Sequence, residues 1–368
     1  MQRPRIKPEH LPFRRGEDLV QIGGSIYGIA NLIPDPDGAV WALLARLDGT
    51  RTVDQVVTDL VRLYPEHPAG TVHTAIEALA RAGHLEDAAE PPPAELSDAE
   101  QERYGRSHAL WRWIDLTPRS SSWNAQLALH QARVVVVGLG GVGSAAALAL
   151  TVSGVGQVHC VEPDVVELSN LNRQILFTED DLGQPKVEAA VRRLREHNSA
   201  IEVTGQRHVI DGPQVLRQLA IGCQVLLMAA DTPREIRSWT NQACLDTGTA
   251  WVHGGYHGPR VNIGLYQPGT GPCHDCTGLA VAERRAAQPQ RTLWPGTPST
   301  TAAHAASAIS AGYAGLMAAH AVMSLITGAP ALQTNCEYGF SLVALDDCFT
   351  LSLSAPRPDC PACGRAAA

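Results

Sequence analysis

No run of apolar residues in this 368-residue chain approaches the roughly 20 needed to cross a bilayer, so no membrane span is expected. Nor does the opening Met1-Gln2-Arg3-Pro4-Arg5 lead into an apolar segment, and no secretory signal is expected. Basic residues are outnumbered, 29 Lys and Arg against 37 Asp and Glu, for a net charge of −8. That balance argues against nucleic acid or an anionic membrane as the main partner. The nine cysteines are an odd count spread over a long chain, unlike the disulfide framework of a small secreted domain. The cytoplasm is therefore the expected compartment. What is present is length enough for a full nucleotide-binding domain and a smaller one beside it.

Residues 1–90 read as the smaller part. Leu19–Ile22 and Ile26–Leu32 are expected to form short strands around Gly23-Gly24. Thr52-Val53-Asp54-Gln55 fits a capping box, and Val53, Val56, Val57, Leu60 and Val61 follow at helical spacing. A second helix with Val72, Ile76 and Leu79 inward should stop at Gly83. Strands and short helices in so few residues suggest a winged-helix-like α+β module. DNA binding, common among such modules, is disfavoured by the net acidity and the lack of a basic recognition helix. Residues 91–116 form a linker and helix: Pro91-Pro92-Pro93 favours a semi-rigid spacer, and Ser97 caps a polar helix running towards Trp111.

Residues 117–368 change to an α/β pattern. Val134-Val135-Val136-Val137 is an unbroken β-branched run, as in a parallel strand buried on both faces. A helix of small residues, Ser144–Val152, a strand at Gln157–Val161, a helix at Asp181–Glu196, and strands at Glu202–Gln206 and Gln224–Met228 follow. Alternation of this kind predicts a doubly wound, Rossmann-like parallel sheet. The turn Gly138-Leu139-Gly140-Gly141-Val142-Gly143 comes directly after the Val run. Its glycines let the backbone approach a phosphate, and the helix N-terminus behind them offers free N–H groups. Glu162, 24 residues past the first glycine, is placed to accept from a ribose hydroxyl. Taken alone, this pattern suits a nicotinamide- or flavin-dependent oxidoreductase as well as an ATP-using enzyme.

The next stretch separates these readings. Glu162-Pro163-Asp164-Val165-Val166-Glu167-Leu168-Ser169-Asn170-Leu171-Asn172-Arg173-Gln174, then Gly183-Gln184-Pro185-Lys186, resembles the signature of the ubiquitin-activating superfamily. That superfamily includes the bacterial enzymes that adenylate sulfur-carrier proteins for thiamin and molybdopterin. The resemblance implies that Gly138, Gly140, Gly141, Gly143, Glu162, Asp164, Asn170 and Gln174 bind ATP. It further implies that Arg173 and Lys186 hold the phosphates and that Asp231 binds Mg²⁺. Arg103-Tyr104-Gly105-Arg106 is similar to the family's Arg-Tyr-x-Arg segment, whose second arginine enters the partner subunit's site. Carried to Arg106, this implies a homodimer with shared active sites.

Two CxxC pairs, Cys273/Cys276 and Cys360/Cys363, suit a closed, structural Cys₄ zinc site whose two halves the fold must bring together. Chelation should lower stability rather than abolish chemistry directly. Cys160, Cys223, Cys244, Cys336 and Cys348 read as core packing. Family members that form a thioester carry a cysteine on a loop that here, Trp294–Ala311, has none, with Thr301 near the expected position. His253 and His257 read as structural or solvated, with a place beyond the α-phosphate as the alternative.

Residues 1–90, above all Leu47-Asp48-Gly49-Thr50-Arg51-Thr52-Val53, resemble the leader-binding modules of peptide-maturation enzymes such as those of the pyrroloquinoline quinone pathway. The whole combination resembles the adenylyltransferases of microcin C-type antibiotic biosynthesis, as do Leu176–Gly183 and Ala230-Asp231-Thr232-Pro233. This implies ATP-dependent, or CTP-dependent, activation of the C-terminal carboxylate of a short ribosomal precursor peptide. The alternatives are adenylation of a ubiquitin-like sulfur carrier ending in glycine, and a non-catalytic scaffold that recruits leaders.

Overall fold

Thr52 accepts from the Gln55 backbone N–H, and the Gln55 side chain accepts from the Thr52 backbone N–H, so the expected capping box forms. The computed structural model describes residues 1–289 and 305–364. The chain divides into two compact units, 1–128 with 327–331, and 129–326 with 332–368.

The first unit contains β1 (Pro4–Ile6), β2 (Phe13–Arg14), β3 (Leu19–Ile22), β4 (Asn31–Pro34), α1 (Ala39–Leu44), α2 (Val53–Leu63), α3 (Ala69–Arg81), β5 (Leu85–Asp87) and α4 (Asp98–Ile114). Strands β2, β3 and β4 form an antiparallel sheet in that order, and β1 pairs with β5. Val20, Ile22, Leu43, Leu47, Val56, Leu60, Val72 and Ile76 close its core. The helical spacing read from the sequence puts Val56, Val57 and Leu60 inward on α2. The expected strand Ile26–Leu32 is corrected: the chain turns at Gly23, Gly24 and Gly28, all at positive φ, and pairs only from Asn31. Ser97 caps α4 as the sequence predicts, and Glu100 reaches back to complete a capping box.

After α5 (Asn124–Gln131), the second unit is built from β6 (Arg133–Val137), α6 (Gly141–Val152), β7 (Gln157–Val161), α7 (Lys186–His197), β8 (Glu202–Gln206), α8 (Pro213–Ala220), β9 (Val225–Met228), α9 (Ile236–Thr247) and β10 (Ala250–His257). Then come β11 (Arg260–Tyr266), α10 (His274–Ala286), α11 (Ala308–Thr327), β12 (Cys336–Ser341) and β13 (Cys348–Ser352). Its eight-stranded sheet runs β8-β7-β6-β9-β10-β11-β12-β13. The strands from β8 to β10 are parallel, and those from β10 to β13 antiparallel. The expected α/β class and Rossmann-like order are observed, with an antiparallel extension added. The chain leaves β6 first towards β7 and β8, then crosses back to β9 on the other side. That reversal opens a crevice at the carboxyl ends of β6 and β9.

Two further expectations change. Helix α7 begins at Lys186 rather than Asp181, because Glu179–Asp181 forms a separate 3₁₀ turn and Pro185 stands at its N-cap. Helix α11 overturns the expectation that no segment is long and apolar enough to cross a bilayer: its 20 residues are both. It is half-buried inside the protein, with Ala311, Ala314, Ala318, Ala319, Ala321 and Val322 fully covered. A Cβ on Gly315 would sit 2.4 Å from the Val142 carbonyl oxygen, so small residues here serve close packing against α6.

Candidate active site

The four glycines after β6 do four different things. Gly138 has φ +90°, and a Cβ there would lie 2.7 Å from the Ala230 nitrogen. A Cβ on Gly143 would come 1.8 Å from the Gly138 carbonyl oxygen, so this position closes the turn upon itself. At Gly141 the obstruction is the Ala311 methyl group, 2.6 Å away. Only at Gly140, the N-cap of α6, would a Cβ meet nothing within 4 Å among the described residues. Three glycines shape the turn, and the fourth leaves its backbone open to a ligand at the positive end of α6.

A cleft of about 470 Å³ opens at this point, lined by Gly140, Gly141, Asp164, Arg173, Lys186 and Asp231 among others. Gln174 also lines it. Lys186, the first residue of α7, is buried and donates from Nζ to Asp164 Oδ2 at 3.2 Å, while Asp164 itself is largely exposed. Arg173 donates from Nη1 to the Ser169 carbonyl at 2.8 Å and to Asn172 Oδ1 at 3.0 Å. Asp231 is exposed just past β9.

Two more arginines, Arg234 and Arg237, face the same cleft. Sequence reasoning missed them: Arg237 lies in the first turn of α9 and Arg234 in the turn just before it, and neither belongs to a motif that marks it. Arg237 lies across Gly255, where a Cβ would come 2.7 Å from its Nη2. With Arg173, Lys186, Arg234 and Arg237 against Asp164 and Asp231, the cleft carries four cations and two carboxylates, a net +2. Such a site suits a polyphosphate, with Asp231 left to hold a hard divalent cation.

The remaining nucleotide candidates do not line the cleft. Glu162 is buried, accepting from the Leu139 N–H at 2.6 Å and the Asp164 N–H at 3.0 Å. It braces the turn, and its two oxygens keep spare lone pairs for a hydroxyl. Asn170 accepts from the Glu167 N–H and caps a 3₁₀ turn that precedes Arg173. Of the two histidines, His257 lines the cleft. His253 is wholly buried, and burial pushes its pKa down to about 4, which keeps it neutral. Arg106 is exposed on α4 in the first unit. Thr301 lies outside the described residues.

The four CxxC cysteines converge. Their sulfurs lie 3.8 Å (Cys273–Cys276), 3.6 Å (Cys273–Cys360) and 3.3 Å (Cys276–Cys363) apart. Tetrahedral coordination with bonds of about 2.3 Å sets neighbouring sulfurs about 3.8 Å apart, so the donor set suits zinc. The Arg357 N–H points at Cys276 Sγ, 3.4 Å away, and the Arg357 guanidinium pairs with Glu283 of α10 and with Asp359. The tail is thus tied to α10 by charge as well as sulfur. Among the other cysteines, burial pushes Cys160 up to about 12 and Cys223 up to about 11, holding both as thiols. Cys348 departs from the expected core role and is exposed on β13.

Residues 115–362 match the model of the ThiF family. Among curated relatives, the chain is 35% identical over 193 residues to the molybdopterin-synthase adenylyltransferase of Escherichia coli, covering 52% of this chain and 73% of that protein. It is 37% identical over 155 residues to the sulfur carrier protein ThiS adenylyltransferase of Bacillus subtilis, covering 42% of this chain. The match spans less than half the length of that protein, 46%, and 45% of the Arabidopsis thaliana adenylyltransferase and sulfurtransferase MOCS3. In fold, it is similar to E. coli MccB solved with ATP: TM-score 0.76, 20% identity, covering 99% of this chain and 100% of that one. The Gly-rich turn, the cationic crevice and the matched family model together make this chain a member of the ThiF family.

Proposed function

We propose that this protein is an ATP-dependent adenylyltransferase that activates the C-terminal carboxylate of a short ribosomal precursor peptide. The observation that carries the reading is the cleft itself: an open backbone at Gly140, four cations, and an exposed Asp231 around one crevice. A carboxylate is a poor electrophile. Its oxygen attacks the α-phosphorus of ATP, a P–O bond forms, the α–β bridge breaks, and pyrophosphate leaves. Two anions approach each other and charge builds on the leaving group, so fixed cations serve this step better than acid–base groups. Arg173 and Lys186 are assigned to the phosphates, with Arg234 and Arg237 extending the same field. Asp231 would hold Mg²⁺, which supplies further charge neutralisation. Zinc on Cys273, Cys276, Cys360 and Cys363 would be structural.

Residues 1–90 are assigned to the peptide's leader, residues 91–116 to the connection, and residues 117–368 to adenylation. Strand β4 is one of the two edges of its sheet among the described residues, and Leu32 on it is exposed. An extended peptide can add to such an edge through main-chain hydrogen bonds. E. coli MccB has been solved with MccA, and the likeness of fold extends over the present N-terminal unit. Arg106 would complete the site of a second copy in a homodimer. Soluble, cytoplasmic operation fits an α11 packed within the protein.

A second reading has support of its own: the relatives at 35% and 37% identity are named for molybdopterin synthase and the sulfur carrier ThiS. The two separate by mass. With ATP or CTP, a short peptide ending in a free carboxylate should gain one nucleotide monophosphate or lose water. Leu32→Glu should raise the KM for the leader-bearing peptide about tenfold, roughly 1.4 kcal/mol, with kcat kept. Activity confined to a ubiquitin-like protein ending in Gly-Gly would refute the peptide reading.

A further inference from the structure

Next to the cleft, on the strand that carries Gly254 and Gly255, stands a polar group that adenylation leaves without a task. His253 on β10 pairs in register with Gly264 on β11, and Gly264 with Glu337 on β12. Residues opposite one another in register share a face of the sheet. Gly264 has no side chain, and a Cβ there would come 2.3 Å from His253 Nε2. The imidazole occupies that gap, and its Nε2 lies 3.4 Å from Glu337 Oε1. His274, at the start of α10, completes the group: one ligand atom from each of His253, His274 and Glu337 lies within 4.8 Å of the others.

His253 is wholly buried, yet among the described residues neither ring nitrogen has a hydrogen-bond partner. Asn241 Oδ1 accepts from the His274 N–H at 3.2 Å and so fixes the start of α10 beside it. Native interiors rarely leave a buried imidazole without a water or ion to satisfy it. The flanking contacts are those that orient metal ligands. His274 Nδ1 lies 3.2 Å from Asp275 Oδ1, which also accepts from Ser238 Oγ at 3.2 Å. Tyr266 donates its hydroxyl to Glu337 Oε1 at 3.1 Å.

We propose that His253, His274 and Glu337 bind one divalent transition-metal ion, zinc or a close analogue, at a second site distinct from the four cysteines. Bonds of about 2.0–2.1 Å in a tetrahedron set neighbouring N and O ligands about 3.4 Å apart, which the His253–Glu337 pair already matches. With Nδ1 of His274 turned to Asp275, Nε2 is the nitrogen left for the ion, a carboxylate–histidine–metal arrangement. Two imidazoles and one carboxylate favour zinc-like ions over Mg²⁺ or Ca²⁺. Occupancy would join β10, β12 and α10 at a point one residue before Gly254, and so hold that wall of the cleft in place.

The test counts metal in the purified full chain, by plasma mass spectrometry, before and after treatment with an organomercurial that displaces thiolate-held ions. Two ions per chain are expected, one released by the mercurial and one retained until a strong chelator is added. Glu337→Gln and His274→Asn should each keep the mercurial-released ion, which also reports that they fold, and lose the retained one. Release of all bound metal by the mercurial would overturn the proposal, as would a retained ion that survives both substitutions. A retained ion with nothing released would support it and count instead against zinc on the cysteines.

Discussion

Lys186→Ala is expected to slow ATP–pyrophosphate exchange by roughly 10²–10³-fold, about 3–4 kcal/mol of transition-state stabilisation, and Arg173→Ala by a similar factor. The fold should survive both. Lys186 is buried, but its ionic partner Asp164 has a side chain that is 67% exposed, so the orphaned carboxylate stays in water. Among the described residues, Arg173 gives up hydrogen bonds only to Ser169 and Asn172 on its own loop. The measurement is exchange kinetics beside a thermal melt. Near wild-type exchange in both variants would remove these residues from the phosphate site, and a large fall in melting temperature would recast Lys186 as a structural ion pair. Arg173→Lys should recover only part of the loss, because an ammonium keeps the charge but not the planar fork.

Gly143→Ala and Gly140→Ala should part company, although the two glycines stand three residues apart in the same turn. At Gly143 the added methyl would lie 1.8 Å from the Gly138 oxygen and 2.8 Å from its carbonyl carbon, both backbone atoms with little freedom to move. Overpacking of this kind costs about 1–3 kcal/mol and sometimes more, so Gly143→Ala should melt several degrees lower and bind ATP poorly. At Gly140 the methyl meets no atom of the described residues within 4 Å, and φ is −66°, so the fold should be unchanged. ATP affinity should fall all the same, because the backbone there needs to approach a phosphate closely. Melting curves with and without nucleotide distinguish the cases. Equal melting temperatures for the two variants would contradict the division of labour among the glycines.

Much of the second unit could be read because its signals are local. The Val run forms β6, the glycines form the turn, and Lys186, Arg173 and Asp231 meet in one cleft, as their order in the motif implied. The capping box at Thr52 and the N-cap at Ser97 were equally legible, since each needs only a few consecutive residues. What escaped depends on the chain returning from a distance. Arg234 and Arg237 look like surface charges until β9 brings α9 to the crevice. His253 and Glu337 are 84 residues apart and become neighbours only through Gly264 on the strand between them. Helix α11 has the length and composition of a membrane span, and only its packing against α6 gives its small residues another purpose. The strand expected at Ile26–Leu32 failed for a local reason: three glycines at positive φ turn the chain before it can pair.

The central claim is attack by a carboxylate oxygen on the α-phosphorus, and an isotope can follow that atom. A substrate peptide with its C-terminal carboxylate labelled with ¹⁸O is incubated with the enzyme, ATP and Mg²⁺. The products are then resolved by mass. The account predicts pyrophosphate release that depends on the peptide, with one ¹⁸O carried into the phosphate of the AMP released when the acyl adenylate breaks down. ADP with labelled inorganic phosphate would place the attack at the γ-phosphorus and contradict it.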